Sequence, residues 1–324
     1  MSVRVALVGC GVWGKNLLRA LVESPRAEVV AVADLSPGKL ARAGVVAPRA
    51  ALVTSLEEAL SALPTAVVIA TPANTHGALV LEALDAGLDV FVEKPFAQSR
   101  EDADRCAARA AALGRVGMVG HLLRYHPSVE RLIELTREPR FGALRHFTAE
   151  RLSSASDRAS SILWSLGPHD LSVLRALDPS PIAAVEAEWR DDGDRITVNL
   201  GLESGVTARI ELARSNPTKE RRLAVVGSAL AGRFDDVRAS DRIALEGAEG
   251  AEAGEILVAW REPLALEIDH FLECVERRST PRTSFEEGAS VVRALARIEA
   301  AAGGAAGSVA RSPGRPITNL RSGA

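Results

Sequence analysis

The sequence predicts an α/β protein in which a doubly wound parallel sheet is followed by a second α/β domain built on an antiparallel sheet. Over the first 120 residues, short continuous apolar runs alternate with helix-like segments, the pattern of parallel strands joined by crossover helices and covered on both faces. A glycine-rich turn, Gly9-x-Gly11-x-x-Gly14, separates the first apolar run from the first helix. After about residue 121 apolar and polar residues alternate with period two, which predicts a sheet with one face toward water.

In chain order the parallel strands read Val3 to Val8, Val29 to Asp34, a weak one near Ala50 to Val53, Ala66 to Ala70, Asp89 to Val92 and Val116 to Val119. Ser55 with Glu58 and Ser99 with Asp102 have the spacing of reciprocal helix N-caps. Gly87 and Gly114 fall just after helical runs, where a left-handed residue ends a helix without strain. A helix is predicted from Pro127 to Thr136. Alternation then marks three strands: Ala183 to Trp189, Ile196 to Leu202 and Val206 to Leu212, the last two joined by a hairpin turn at Glu203-Ser-Gly205. Helices follow at Leu264 to Arg277 and Glu286 to Ala301, and the Ala/Gly/Ser/Pro-rich stretch to Ala324 reads as an extended or frayed tail. The division this implies is residues 1–120 as a dinucleotide-binding domain and 121–324 as a second domain.

Composition bounds the function. At roughly 150 residues per domain, 324 residues make about two domains, and 47% apolar with 25% charged residues excludes disordered and collagen-like chains. A net charge of −3 and 4% aromatic residues give neither the basic field nor the stacking surfaces that nucleic acid requires. Cys10, Cys106 and Cys274 are too far apart for a zinc site or a disulfide scaffold, so no metal is expected and the compartment reads as the cytoplasm. No apolar run approaches the ~18 residues of a membrane span. Among the 39 basic residues only Lys15, Lys39, Lys94 and Lys219 are lysines, the side chain whose charge can be tuned by burial.

Gly9 permits the tight turn, Gly11 lets backbone approach a pyrophosphate, and Gly14 allows close helix–strand packing with the anion at the helix N-terminus. Asp34 follows at the end of the second strand, where a carboxylate accepts from the ribose hydroxyls, favouring NAD; Lys39 and Arg42 nearby keep NADP open. The competing reading is a glycine turn without ligand. Thr71, Pro72, Asn74 and His76 leave the fourth strand at the ligand-binding edge, although Asn74 or Thr75 fits equally well as a helix N-cap and His76 as a first-turn surface residue. Glu93-Lys94-Pro95 ends the fifth strand on the same edge, and Pro95 restricts Lys94 to extended angles, which suits a positioned cation. In Gly167-Pro-His-Asp170, Pro168 fits a first helical turn, from which His169 would project.

Taken together with Val92-Glu-Lys-Pro95, Val119-Gly-His-Leu-Leu-Arg-Tyr-His-Pro127 and His270-Phe271, these segments resemble the glucose-fructose oxidoreductase/inositol dehydrogenase (Gfo/Idh/MocA) family across nearly the whole chain. The resemblance implies a Rossmann domain followed by an α/β domain with a large, mostly antiparallel open sheet, whose free face commonly joins subunits into a dimer or tetramer. It implies hydride transfer between a nicotinamide cofactor and a sugar-type secondary alcohol or ketone, with Lys94 and His169 in the catalytic positions. Val12, Trp13 and Glu93 join the glycines, Asp34, Thr71, Pro72, Asn74, His76 and Lys94 as implied cofactor contacts. Arg124, Tyr125, Arg151 and Ser165 join Lys94 and His169 as implied substrate contacts, with Arg158 a further anion holder. The Leu163-Trp-Ser-Leu-Gly-Pro-His-Asp170 run most resembles members acting on nucleotide-linked sugars. Relatives usually carry aspartate where this chain has Ser165, one helical turn before His169. A serine hydroxyl offers imidazole only a neutral hydrogen bond. Three outcomes are open: serine substitutes with weaker activity, the substrate supplies the missing group, or redox turnover is lost; redox-neutral lyase, epimerase or glycosidase chemistry and a non-catalytic nicotinamide-binding role are the alternatives.

Overall fold

The computed structural model describes residues 2–153, 161–247 and 254–303. Eleven elements build the first layer system: β1 (Val3–Val8), α1 (Gly14–Glu23), β2 (Ala27–Ala33), α2 (Pro37–Val46), β3 (Ala51–Val53), α3 (Leu56–Leu60), β4 (Ala66–Ile69), α4 (His76–Asp85), β5 (Asp89–Glu93), α5 (Arg100–Ala112) and β6 (Gly117–Gly120). The strands pair in parallel in the order β3-β2-β1-β4-β5-β6. β4 and β5 are buried along their whole length, which explains their unbroken apolar or near-apolar sequences. Strand order reverses between β1 and β4, so a crevice opens at their carboxyl ends.

The rest of the chain supplies α6 (Pro127–Leu135), β7 (Leu144–Leu152), α7 (Ile162–Leu177), β8 (Ile182–Arg190), β9 (Arg195–Leu202), β10 (Thr207–Ala213), β11 (Glu220–Gly227), β12 (Leu230–Asp235), β13 (Ala239–Gly247), β14 (Gly254–Leu257), α8 (Pro263–Arg277) and α9 (Phe285–Ala301). Its eight strands run β14-β13-β12-β11-β7-β10-β9-β8, antiparallel except between β7 and β10. Inward-facing Phe147, Ala149, Val198, Leu200, Ile210, Leu212, Leu223 and Val225 share one core with α6, α7 and α9. Alternation in the sequence marks β8, β9 and β10 but misses β7 and β11 to β14. In β7 and β11, arginines and glutamates occupy the outward positions and Arg151 an inward one, which blurs the period.

The last two helices return to the first sheet. α8 places Ile268, Phe271 and Leu272 in a core with Leu7, Val68 and Phe91, the Phe91 and Phe271 rings meeting edge to face at 5.7 Å. α9 is shared: Phe285, Ala289 and Val292 pack on the first sheet, while Val291, Leu295 and Ile298 pack on the second.

The caps form as expected at Ser55 and Ser99, whose hydroxyls accept from the Glu58 and Asp102 amides, and Gly87 and Gly114 have φ of +80° and +59°. Glu58 reaches back to the Thr54 amide rather than to that of Ser55. Pro168 corrects a sequence expectation: α7 begins at Ile162, so the proline lies inside the helix and His169 at mid-helix. Burial of Ile162 and Leu163 anchors the earlier turn and overrides the missing proline N–H. No helix among the described residues is long and apolar enough to cross a membrane. The predicted tail, from 304 onward, lies outside the described residues.

A Cβ added to Gly288 of α9 would sit 2.4 Å from Cγ2 of Val119, a stiff β-branched neighbour. Alanine gains about 1 kcal/mol of helix propensity there but overpacks a closed contact at about 1–3 kcal/mol. Gly288→Ala is therefore expected to lower the urea midpoint; an unchanged or higher midpoint would show that the α9–β6 contact relaxes freely.

Candidate active site

The glycine turn is built for different neighbours at each position. Gly9 has φ +93°, and a Cβ there would lie 2.6 Å from the Ala70 carbonyl oxygen; a Cβ on Gly14 would lie 2.0 Å from the Gly9 carbonyl oxygen. These two glycines are demanded by the protein itself. A Cβ on Gly11 would meet nothing within 4 Å, so that position opens outward onto a cleft of about 430 Å³ lined by Val12, Lys15, Lys39 and Arg42. This combination fits a dinucleotide pyrophosphate approaching backbone at the head of α1.

Asp34 closes the same turn, accepting from the amides of Cys10 (2.8 Å) and Ser36 (2.9 Å), with Lys39 Nζ at 3.5 Å. Burial disfavours its charge, but the Ser36 and Cys10 amides and Lys39 outweigh burial and hold its pKa below the usual carboxylate value. It is ionised at neutral pH and offers its oxygens only as acceptors.

At the carboxyl edge of the first sheet a second cavity, of about 530 Å³, is lined by Trp13, Thr71, Glu93, Lys94, Arg151 and His169, together with His126, Arg221, Asp236 and Trp260. Lys94 leaves the end of β5 and its Nζ donates to the carbonyl oxygen of Ser165 at 3.0 Å. Burial lowers the Lys94 pKa, Glu93 opposes that shift, and Arg151 adds to it. The Glu93 carboxylate accepts from the Trp13 indole and from the Lys94 amide, and burial pushes its pKa up to about 7. Beneath it Glu267 is fully buried with both oxygens unpartnered, and burial followed by Glu93 raises its pKa well above the ordinary value.

His169 projects from α7 into the same cavity. Its Nδ1 is buried without a hydrogen-bond partner, and burial, then Lys94, Arg151, His121 and Arg221, hold its pKa well below 6.5. The imidazole is neutral at neutral pH. An ammonium from β5 and a neutral imidazole from α7 thus line one cavity beside the glycine cradle, an arrangement able to hold a hydroxyl oxygen and remove its proton.

Several expected contacts are corrected. Arg124 is largely buried and bonds to the Ser172 carbonyl of α7 (3.1 Å) and to Glu287 of α9 (3.3 Å), and Tyr125 is fully buried with its hydroxyl 3.0 Å from Thr283 Oγ1; neither lines the cavity. The Ser165 hydroxyl donates to the Ile162 carbonyl one turn back at 3.3 Å, so only its backbone carbonyl serves the site. His76 is buried, with ring nitrogens 2.9 Å from the Pro95 and Thr71 carbonyls, and braces the two loops rather than facing solvent. Thr75 holds the N-cap position of α4 but makes no side-chain cap bond, its hydroxyl bonding instead to Thr71 and to the Pro72 carbonyl, while Pro72 and Asn74 are exposed. Arg151 does line the cavity, but its guanidinium is held by Asp170 through two bonds of 3.2 and 2.8 Å. Arg158 lies outside the described residues.

Sequence reasoning missed Arg221, Asp236, His126 and Trp260. Arg221 stands opposite Arg151 in the β11–β7 register, and each has its own carboxylate, Asp236 at 3.4 Å and Asp170 respectively. That pairing joins residues 70 positions apart, and no local spacing announces it. Trp260, half exposed in an aromatic-poor chain, was the one available signal.

Comparison with known proteins agrees with the geometry. Residues 3–121 match the model of an oxidoreductase family with an NAD-binding Rossmann fold (GFO_IDH_MocA). The chain is 31% identical over 251 residues to a UDP-N-acetylglucosamine 3-dehydrogenase of Acidithiobacillus ferrooxidans, covering 74% of this chain and 78% of that one. It is 26% identical over 305 residues to the scyllo-inositol 2-dehydrogenase (NAD(+)) of Bacillus subtilis, covering 86% and 88%. The solved structure of the Acidithiobacillus enzyme superposes with a TM-score of 0.85 at 25% identity, over 93% of this chain and 98% of that one.

Because a side chain at position 11 would enter open space, Gly11→Val is expected to change folding stability by less than about 0.5 kcal/mol. The same substitution should weaken NADH binding, read by fluorescence titration, by roughly tenfold or more, about 1.4 kcal/mol. Unchanged affinity would remove the pyrophosphate from this turn.

Proposed function

The chain belongs to the Gfo/Idh/MocA oxidoreductase family, and on that premise we propose that it is an NAD(P)-dependent oxidoreductase acting on a secondary alcohol or ketone of a nucleotide-linked sugar. The observation that carries this reading is the convergence of Lys94 and His169 on one cavity next to the Gly11 cradle. NAD is the preferred cofactor, because ionised Asp34 would meet a 2′-phosphate as a like charge. The nucleotide-sugar assignment draws on the named relative and on the arginines lining the cavity, Arg151 and Arg221, which suit a diphosphate. The reading extends to a cofactor-binding unit over 1–120 and a substrate and assembly unit over 121–324, and to a cytoplasmic homo-oligomer, dimer or tetramer, joined through the open face of the eight-stranded sheet.

The roles follow from charge. Bound nicotinamide supplies the hydride acceptor in oxidation and the donor in reduction. Lys94 holds the substrate oxygen and stabilises negative charge as it develops there. His169, neutral before substrate arrives, takes the hydroxyl proton in oxidation and returns it in reduction. Trp13, pinned by Glu93, walls the cavity on the cradle side and keeps water from it.

Lys94→Met and His169→Ala should each lower sugar oxidation, followed by NADH absorbance, by roughly 10²- to 10⁴-fold while NADH affinity stays at its original value. Full turnover in both variants would reject the assignment. Since only the ammonium form of Lys94 acts, activity should be lost as pH rises through a Lys94 pKa lying below the ordinary 10.5. An alkaline limb that Lys94→Arg leaves in place would assign it to another group.

A further inference from the structure

Behind His169, between α7, α9 and the chain leaving β6, four buried polar atoms of two histidines and a glutamate have no hydrogen-bond partner among the described residues: Nδ1 of His169, both ring nitrogens of His121 and Oε2 of Glu287; Nε of Arg124, whose guanidinium bonds to the other Glu287 oxygen, is a fifth. His121 is 1% exposed, and its Nε2 stands 3.8 Å from Glu287 Oε2, longer than a direct bond and within reach of a small side-chain movement. The other oxygen of Glu287 is fixed: it accepts from Ser172 Oγ at 2.7 Å, on the helix that carries His169, and from Arg124 at 3.3 Å. Buried polar atoms are rarely left unpaired, so a cluster of four in one place calls for a common explanation.

A single chain of bonds would satisfy all four: His169 Nδ1–H donating to His121 Nδ1 and His121 Nε2–H donating to Glu287 Oε2, each directly or across an ordered water. A neutral imidazole can accept at one ring nitrogen and donate at the other in this way. His121 stays neutral: burial, then Arg124 and Lys94, lower its pKa to about 3.

The charge around His169 gives the chain a purpose. Burial first, and then the charges of Lys94, Arg151 and Arg221, oppose a proton on its imidazole; His121 is neutral and adds no charge of its own at neutral pH. Asp170 is committed to Arg151, and Asp236 lies against Arg221 and His126. The Ser165 hydroxyl is turned back to Ile162. Glu287 is the carboxylate that touches this cluster with an uncommitted buried oxygen.

We infer that Glu287, acting through His121, is a positioning residue that fixes the His169 tautomer and supplies the negative charge that lets the imidazole carry the substrate proton. The inference rests on the hydride-transfer reading above. It adds a pH dependence of its own. Burial raises the Glu287 pKa, and Arg124, Ser172 and Arg175 oppose that shift, leaving it at about 7. Above that pH Glu287 is ionised and oxidation runs; below it the charge is lost and oxidation slows. Burial and the neighbouring cations hold the His169 pKa below 6.5, on the acid side of that limb.

The test uses the full-length protein with histidines labelled for nitrogen NMR, which needs no substrate. The wild type should hold ligand-free His169 in the Nδ1-protonated tautomer. Glu287→Gln and, independently, His121→Asn should mix the tautomers. In oxidation assays Glu287→Gln should lower kcat by roughly tenfold and abolish the acid limb near pH 7 with KM little changed; Glu287→Asp should restore part of the rate and the limb. Ser165→Asp, which places a carboxylate one turn from His169, should reduce the effect of Glu287→Gln. An identical His169 tautomer and titration in the wild type and in whichever of the two variants folds would overturn the inference. Wild-type turnover with an unchanged limb in Glu287→Gln would overturn it while sparing the hydride-transfer reading. Absent wild-type turnover would strike that reading and leave the NMR result to decide the inference.

Discussion

The architecture of the site depends on one hydrogen bond between its two halves, from the Lys94 ammonium at the end of β5 to the Ser165 carbonyl on α7. A buried ammonium must be satisfied, and an unmet donor of this kind forfeits several kcal/mol. The bond therefore fixes where α7 lies against the edge of the parallel sheet, and with it the distance from Lys94 to His169 one turn further along. The surroundings reinforce that placement. Trp164, the residue before Ser165, packs against the cores of both sheets and donates to Glu299 of α9 at 3.0 Å. On the other side of the helix Asp170 grips Arg151 of β7.

The electrostatics follow from that closeness. Lys94, Arg151 and Arg221 crowd a neutral imidazole and disfavour its protonated form, although Glu93, Asp170 and Asp236 stand against those three cations. Local charge rather than net charge decides what such a site attracts. The closeness of those cations makes the protonated state of His169 costly, which gives the buried carboxylate behind it its weight.

Much of this was legible in the sequence. The parallel sheet was, because strands buried on both faces are continuous apolar runs and the glycines must sit where strand meets helix. Gly9 and Gly14 are explained by contacts within the fold, whereas Gly11 is explained by the space it leaves, and only coordinates separate those two reasons. Lys94 and His169 were singled out by scarcity, edge position and resemblance. Strands β11 to β14 are not legible, since charged residues at positions in phase with the buried ones, such as Arg221 in β11 and Asp241 in β13, break the clean alternation that marks β8 to β10. The arginines near the motifs divided in a way no spacing reveals: Arg151 faces the cavity, while Arg124 is drawn inward by Ser172 and Glu287. Arg221 and Asp236 enter through strand pairing with β7, a long-range fact. Pro168 misled because tertiary burial of the preceding turn outweighed a local helix-start signal.

The central claim is that an ammonium and an imidazole address the same substrate atom. A crystal structure of the ternary complex with nicotinamide cofactor and an oxidisable nucleotide sugar measures this directly. The account predicts Lys94 Nζ and a His169 ring nitrogen each within about 2.6–3.2 Å of one sugar oxygen, at the carbon facing the nicotinamide. A substrate oxygen held by other side chains, with either nitrogen turned away from it, would contradict the account.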